Sequence, residues 1–306
     1  MDGAQTRASV LRYTPQGGYE GLTHIPTSQR PDELTAAIDA SGHGFVVWRL
    51  DDAVWAVEND PNDGWQTPQR IDSLQAETEG FPTGAGPFLS ASMAHGSGAV
   101  LWRAAYGIWA TRFTATSGWF APQRLVDDEA GSNAATVAMF EDGRALAAWT
   151  TVVDLEEAIV RTSIWQPPNG WTDVVVVDTA DTNAHYIQAD RVADHIALGW
   201  EGDDRMVGAS LDGEGVWSVG ADLGTFWAGA FDASLAGSEQ GALVVWQGED
   251  LYASQWSDGV WHPPVTLEDA SSSTNPRVAM GGRYGLVVYT QGDARVARVF
   301  EIGPST

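Results

Sequence analysis

A chain of 306 residues with 43% hydrophobic residues is long enough to form one large all-β domain with a substantial core. It contains no cysteine and no lysine, and its sixteen cationic side chains are all arginine, which excludes thiolate catalysis, disulfides, cysteine-ligated zinc, Schiff-base lysines and phosphate-loop lysines. The net charge of −25 disfavours nucleic acid and anionic lipid surfaces as partners and favours cationic ones, including metal ions.

No apolar run approaches the length of a membrane span. The first twenty residues also lack the apolar stretch of a secretory signal. We therefore expect either a cytoplasmic protein or one whose signal has been removed. The opening Met-Asp-Gly favours the second, and with it an extracellular or periplasmic location.

One repeat covers almost the whole chain. An apolar run that ends in an aromatic residue recurs six times, ending at Trp48, Trp102, Trp149, Trp200, Trp246 and Tyr289. A turn with a second aromatic residue, often Gly-Trp, follows five of these runs, at Trp65, Trp119, Trp171, Trp217 and Trp261, and its sixth copy is Tyr19 at the other end of the chain. Successive copies lie 43 to 54 residues apart, which matches a four-stranded propeller blade.

The repeat predicts an all-β fold, a six-bladed β-propeller of four-stranded antiparallel blades. We expect a single domain over 1–306, with blades at approximately 30–72, 85–126, 131–177, 183–223, 226–268, and 273–302 together with 7–26. The last blade is then closed by N- and C-terminal strands, which removes open sheet edges. Both Ala8–Tyr13 and Ala294–Phe300 have the pattern of its third strand, so either this blade holds five strands or one segment lies outside it. A β-sandwich or a β-solenoid is a weaker alternative, since sandwiches rarely repeat so regularly and solenoid repeats are shorter.

The apolar strand ending in Trp and the Gly-Trp turn resemble the Trp-rich blades of bacterial propeller lectins, especially the fucose-binding type with six or seven blades. That resemblance implies a carbohydrate-binding propeller, although the matching residues are the structural part of the repeat. The segment Ser210–Trp217 is similar to the aspartate box of sialidases, Ser-x-Asp-x-Gly-x-Thr-Trp, but has Glu214 in place of the glycine. In architecture alone, six blades also resemble the calcium-dependent lactonases and phosphotriesterases.

The loops around one end of the predicted channel are rich in acids. In a propeller, the loops that lead into first strands and those that join second to third strands lie on the same face. Here nearly all of them carry Asp or Glu, while the second copy offers Tyr106 instead. One interpretation is the solvated rim of a protein adapted to salt, and the other is a mouth that binds a cation such as Ca²⁺. Both stay open.

The residues at the heads of the first strands differ from copy to copy, which favours one asymmetric site over several equivalent ones. Our candidate ligand-binding residues are Glu33, Phe88, Tyr106, Asn133, Tyr186, Trp227 and Asn275. His185 lies at the same level, four residues after Asp181, and is the candidate catalytic base.

Three functions fit these features. The first is a ligand-binding propeller, carbohydrate-recognising, with a small molecule or glycan at one site at the channel mouth. The second is a metal-assisted hydrolase of esters, lactones or phosphoesters, in which Glu33, Asn133 and Asn275 hold Ca²⁺ or another divalent cation. The third is an acidic platform for a basic protein. No motif fixes a cofactor or decides whether the chain is an enzyme, and we expect a monomer that binds neither nucleic acid nor membrane.

Overall fold

The computed structural model describes residues 8–11, 13–14, 18–19, 21–25, 31–50, 53–72, 89–104, 107–127, 132–154, 157–178, 184–202, 204–218, 220–225, 233–268 and 273–302. All regular secondary structure in these ranges is β-strand. None of the described segments forms a helix that is long and apolar enough to cross a bilayer.

The strands follow one another in the order that the repeat predicts. The N-terminal strands are β1 (Ala8–Val10), β2 (Tyr13–Thr14), β3 (Gly18–Tyr19) and β4 (Thr23–Ile25). Blade 1 comprises β5 (Glu33–Ile38), β6 (Gly44–Leu50), β7 (Ala53–Asp60), β8 (Gly64–Trp65) and β9 (Gln69–Arg70). Blade 2 comprises β10 (Leu89–Ala94), β11 (Ser97–Ala104), β12 (Gly107–Thr114), β13 (Gly118–Trp119) and β14 (Gln123–Asp127). Blade 3 comprises β15 (Ser132–Met139), β16 (Ala145–Asp154), β17 (Glu157–Gln166), β18 (Gly170–Trp171) and β19 (Val175–Asp178).

The second half of the chain continues the series. Blade 4 comprises β20 (Ile187–Val192), β21 (His195–Gly202), β22 (Arg205–Leu211) and β23 (Ala221–Thr225). Blade 5 comprises β24 (Ala233–Ser238), β25 (Gly241–Gln247), β26 (Leu251–Ser257), β27 (Val260–Trp261) and β28 (Val265–Glu268). The C-terminal sheet comprises β29 (Ser273–Gly281), β30 (Tyr284–Gln291) and β31 (Ala294–Glu301). In every blade the first strand pairs with the second and the second with the third, while the short outer strands pair with the third. The prediction of an all-β, six-bladed propeller is confirmed.

The second strand of each blade is apolar on both sides because it lies between two neighbouring blades. In β6, Phe45 and Val47 pack against blade 2, whereas Val46 and Trp48 face the opposite way. The aromatic residues that end these strands are buried, and each packs toward the preceding blade, as Trp102 does against Phe45 and Val47. An aromatic side chain buries a large apolar area, so the repeated tryptophans are structural.

Successive first strands are joined by hydrogen bonds from backbone amides to side chains. A first strand pairs with a second strand on one edge only, so the amides of its other edge need acceptors. The preceding blade supplies them through Glu33 to the Leu89 amide (3.0 Å), Ser90 to Val137 (3.0 Å), Ser92 to Met139 (3.0 Å), Thr136 to Ala189 (3.2 Å), Gln188 to Leu235 (2.6 Å), Asp190 to Gly237 (2.9 Å) and Ser234 to Val278 (3.2 Å). We call these bonds the first-strand ties.

Strands from both ends of the chain form the last blade position, in two sheets. The C-terminal sheet packs Val287 and Tyr289 against the apolar face of blade 5. The N-terminal strands pack Val10 and Ile25 against Trp48 of blade 1. In the described part of the chain, β31 pairs with β30 while β1 pairs with β4. Each of the two expected third strands therefore has a sheet of its own.

Replacement of a repeated tryptophan tests its structural role. Trp102→Ala should lower the free energy of unfolding by about 3–5 kcal/mol, because it leaves a large cavity between blades 1 and 2. Tyr19→Ala, at an aromatic position of the same repeat that is 74% exposed, should change it by less than about 0.5 kcal/mol. Chemical denaturation of both variants checks this, and equal effects would contradict it.

Candidate functional site

The predicted site residues that the structure describes lie at one end of the channel. First strands of neighbouring blades run side by side, and Glu33, Asn133 and Asn275 occupy the beginnings of β5, β15 and β29. We call this end the channel-mouth face. Phe88, Tyr106 and Trp227 lie outside the described residues.

Two of the predicted ligands have backbone or packing roles of their own. The Oε1 atom of Glu33 accepts the Leu89 amide and so belongs to the first-strand ties. Asn275 is exposed and has a φ of 55°, a left-handed conformation that asparagine tolerates better than most residues. It lies where the register between β29 and β30 shifts.

His185 and Tyr186 extend the first strand of blade 4 toward the channel-mouth face. The His185 amide donates to the Glu201 carbonyl at 3.0 Å, and the Glu201 amide donates to the Tyr186 carbonyl at 2.9 Å. The Tyr186 ring packs beside Trp246 and Leu235 of blade 5. His185 is half-buried, and this burial lowers the pKa of its imidazole, which favours the neutral form.

Glu201 is the residue that the sequence did not single out. It directly follows the structural Trp200 and lies between Tyr186 and Met206 on the strands beside it. Both neighbours pack against blade 5, so strand alternation directs Glu201 into the same crevice between blades 4 and 5. The residue is only 5% exposed, and its Oε2 atom is buried with no hydrogen-bond partner. This burial, with the nearby charge of Asp204, raises the pKa of the carboxyl from 4.5 to about 7.

The position after the strand-end aromatic residue varies among the blades, with four residue types at six positions. It holds Arg49, Arg103, Thr150, Glu201, Gln247 and Thr290 in chain order. Thr150 has a structural role, since its Oγ1 atom accepts the Ala134 amide at 3.2 Å and donates to the His185 carbonyl at 3.3 Å. Gln247 donates from Nε2 to the Gly248 carbonyl at 3.1 Å, but its buried Oε1 atom has no partner. Gln247 pairs with Leu251, which packs against the C-terminal sheet, so Gln247 faces away from the crevice of Glu201.

Aromatic and acidic groups border the crevice of Glu201 on the side of blade 5. Trp246 and Tyr252 stack with ring centroids 5.8 Å apart, and the Trp246 indole donates to the Thr225 carbonyl at 3.1 Å. Burial, together with the charges of Asp250 and Glu249, raises the pKa of the Tyr252 phenol. The crevice therefore combines acceptor oxygens with aromatic surface.

Metal binding is not decided by these residues. Within the described ranges, no three acidic or histidine side chains form a group that could hold a metal ion. The rim acids Asp51, Asp52, Glu156 and Asp203 lie outside those ranges. The hypothesis that Glu33, Asn133 and Asn275 hold a cation, with His185 as base, stays a prediction.

The raised pKa of Glu201 predicts a specific dependence of stability on pH. Because the folded pKa lies above the ordinary 4.5, the folded state binds the proton more tightly, and stability falls as pH rises from about 4.5 to 7. Glu201→Gln should remove this loss, which is on the order of 3 kcal/mol. Unfolding free energies between pH 4.5 and 8 measure it. Glu214→Gln, at an exposed acid in the turn after β22 and at the opposite end of blade 4, is the control and should keep the wild-type slope.

No family model and no curated protein matches this sequence. Several solved structures match its fold. A fucose-recognising lectin from Aleuria aurantia with a six-bladed β-propeller fold has a TM-score of 0.55 and 16% identity, covering 89% of this chain and 96% of the lectin. The Dos1 propeller has a TM-score of 0.56 and 13% identity, covering 97% of this chain and 74% of that one. A protein of unknown function from Dyadobacter fermentans has a TM-score of 0.50 and 12% identity, covering 88% and 94%. At these identities the likeness is one of fold, and it identifies the chain as a β-propeller.

Proposed function

We propose that the chain is a ligand-binding β-propeller that recognises a carbohydrate at one asymmetric site on its channel-mouth face. The observation that carries the proposal is the buried acceptor oxygen Glu201 Oε2, which has no donor among the described residues. A buried polar atom without a partner lowers stability, so an acceptor of this kind needs a reason. A ligand rich in hydroxyl groups supplies the missing hydrogen-bond donor.

The surroundings of Glu201 favour a sugar over other hydroxyl-bearing ligands. A carboxylate can accept hydrogen bonds from two neighbouring hydroxyls, and aromatic side chains offer a flat apolar surface to the C–H face of a sugar ring. Tyr186 and Tyr252, which are partly exposed, provide such rings beside the crevice. The net charge of −25 also disfavours anionic ligands and leaves neutral sugars unaffected.

The differences among blades support one site. A propeller that used every blade alike would repeat its contact residues, as it repeats its structural tryptophans. Here the position of Glu201 holds residues of four types, and in the described part of the chain only Glu201 presents a buried, unpartnered acceptor to the crevice between blades 4 and 5. We therefore place the ligand over these two blades. The likeness of fold to the fucose-recognising lectin supports a glycan as the ligand to test first.

A glycan array followed by calorimetry tests the proposal. The wild-type protein should bind at least one neutral glycan, and Glu201→Gln should weaken that binding about tenfold or more, because a charge-assisted acceptor is lost. The affinity of the wild type should also fall as the pH drops through about 7, where Glu201 takes up its proton.

Glu214→Gln is again the matched control, since it makes the same change at an exposed acid of blade 4 away from the crevice. It should leave both the affinity and its pH dependence unchanged. Equal affinity of the wild type and Glu201→Gln for the glycan would show that this crevice is not part of the site. Absence of binding to every glycan on the array would refute the proposal of a carbohydrate ligand.

A further inference from the structure

The crevice of Glu201 carries negative charge from both of the blades that border it. On blade 4, burial and the nearby Asp204 carboxylate both raise the pKa of Glu201. On blade 5, burial and the charges of Asp250 and Glu249 raise the pKa of the Tyr252 phenol, which lies beside the crevice. Acids of two neighbouring blades therefore act on the groups that border one opening.

The basic residues next to Glu201 do not offset this negative charge. Arg205 precedes Met206 in β22, and because Met206 packs toward blade 5, strand alternation directs Arg205 toward the opposite face of the blade. The imidazole of His185 is half-buried, and this burial lowers its pKa and favours the neutral form. Among the described residues, the charge that acts on the pKa of Glu201 is the negative one of Asp204.

A hydroxyl group would satisfy the Glu201 acceptor but would leave its charge uncompensated. Glu201 is 5% exposed, so holding this carboxylate ionised without a donor on Oε2 is costly in the free protein. A protonated amine donates the hydrogen bond and supplies the opposite charge, and such charge-assisted bonds are roughly twice as strong as neutral ones. The partly exposed rings of Tyr186 and Tyr252 border the crevice, and aromatic faces attract an ammonium group.

We propose that the sugar bound in this crevice carries a protonated amine, and that its ammonium group donates to Glu201 Oε2. The inference rests on the proposed function and narrows the ligand class to amino sugars with a free amine. Neutral sugars of the same shape bind the crevice more weakly, because they bring the hydrogen-bond donor without the charge. The net charge of −25 also attracts a cationic sugar from a distance and speeds its association.

Sugars that differ at a single carbon test the role of the charge. Glucose, galactose and mannose are each compared by calorimetry with their 2-amino and 2-acetamido forms, at neutral pH and low salt. At least one free amine should bind the wild-type protein about tenfold or more tightly than its acetylated form and its parent hexose. High salt should reduce this preference, because it screens the charge on the ligand and leaves the neutral sugars unaffected.

Glu201→Gln separates the charge of the side chain from its shape. Glutamine keeps an acceptor oxygen and nearly the same size, so the free amine and its acetylated form should bind this variant within about twofold of each other. Glu214→Gln makes the same change at an exposed acid away from the crevice and should keep the full preference for the amine.

The inference and the proposed function fail in different ways. Tight binding of a neutral glycan that depends on Glu201, with no preference for any free amine, overturns the inference and leaves the carbohydrate site supported. A preference for the amine that persists in Glu201→Gln also overturns the inference, because the ammonium group then lies elsewhere. Absence of binding by every sugar, charged or neutral, refutes both.

Discussion

The first-strand ties are the interaction on which the arrangement of blades depends. Each first strand is a sheet edge on its channel side, and an edge of unpaired amides would otherwise need water or another strand. Short acceptor side chains at alternate positions, such as Ser90 and Ser92, bond to the next first strand and fix its height along the channel. The blades are thereby held in register at the centre, while the large aromatic residues fill the space between them further out.

Because the first-strand ties and the aromatic packing each fix particular positions of a blade, other positions are free to vary. The second strand is fixed on both faces by packing, and the first strand by its ties, but the residue just beyond each strand-end aromatic lies where the packing ends. There the chain places arginine, threonine, glutamate or glutamine without disturbing the blade. Function in a repeated fold is expected at positions that break the repeat, and Glu201 is such a position.

The sequence predicts the fold well because the repeat is made of strong local signals. These signals predict strands closely, as at Ala294–Phe300, which lies within β31. The sequence predicts the site less well, because the burial of a single acidic side chain depends on pairing between segments that are distant in the chain. Glu201 stands in a row of loop acids with Asp203 and Asp204, and nothing local shows that His185 and Tyr186 extend β20 far enough to enclose it. Glu33 has a structural role that its head-of-strand position did not predict, since its carboxylate accepts the Leu89 amide.

A side-chain acceptor oxygen can thus join two blades or await a ligand, and the presence or absence of a nearby backbone donor decides which role it has. Gln188 and Gln247 are the same side chain in neighbouring blades, yet the Oε1 atom of Gln188 accepts the Leu235 amide at 2.6 Å while that of Gln247 is buried without a partner. An acceptor that meets a backbone amide contributes to ring closure, and its loss would loosen two blades at once. An acceptor that meets none lowers the stability of the free protein, and that deficit is recovered only when a ligand brings the donor.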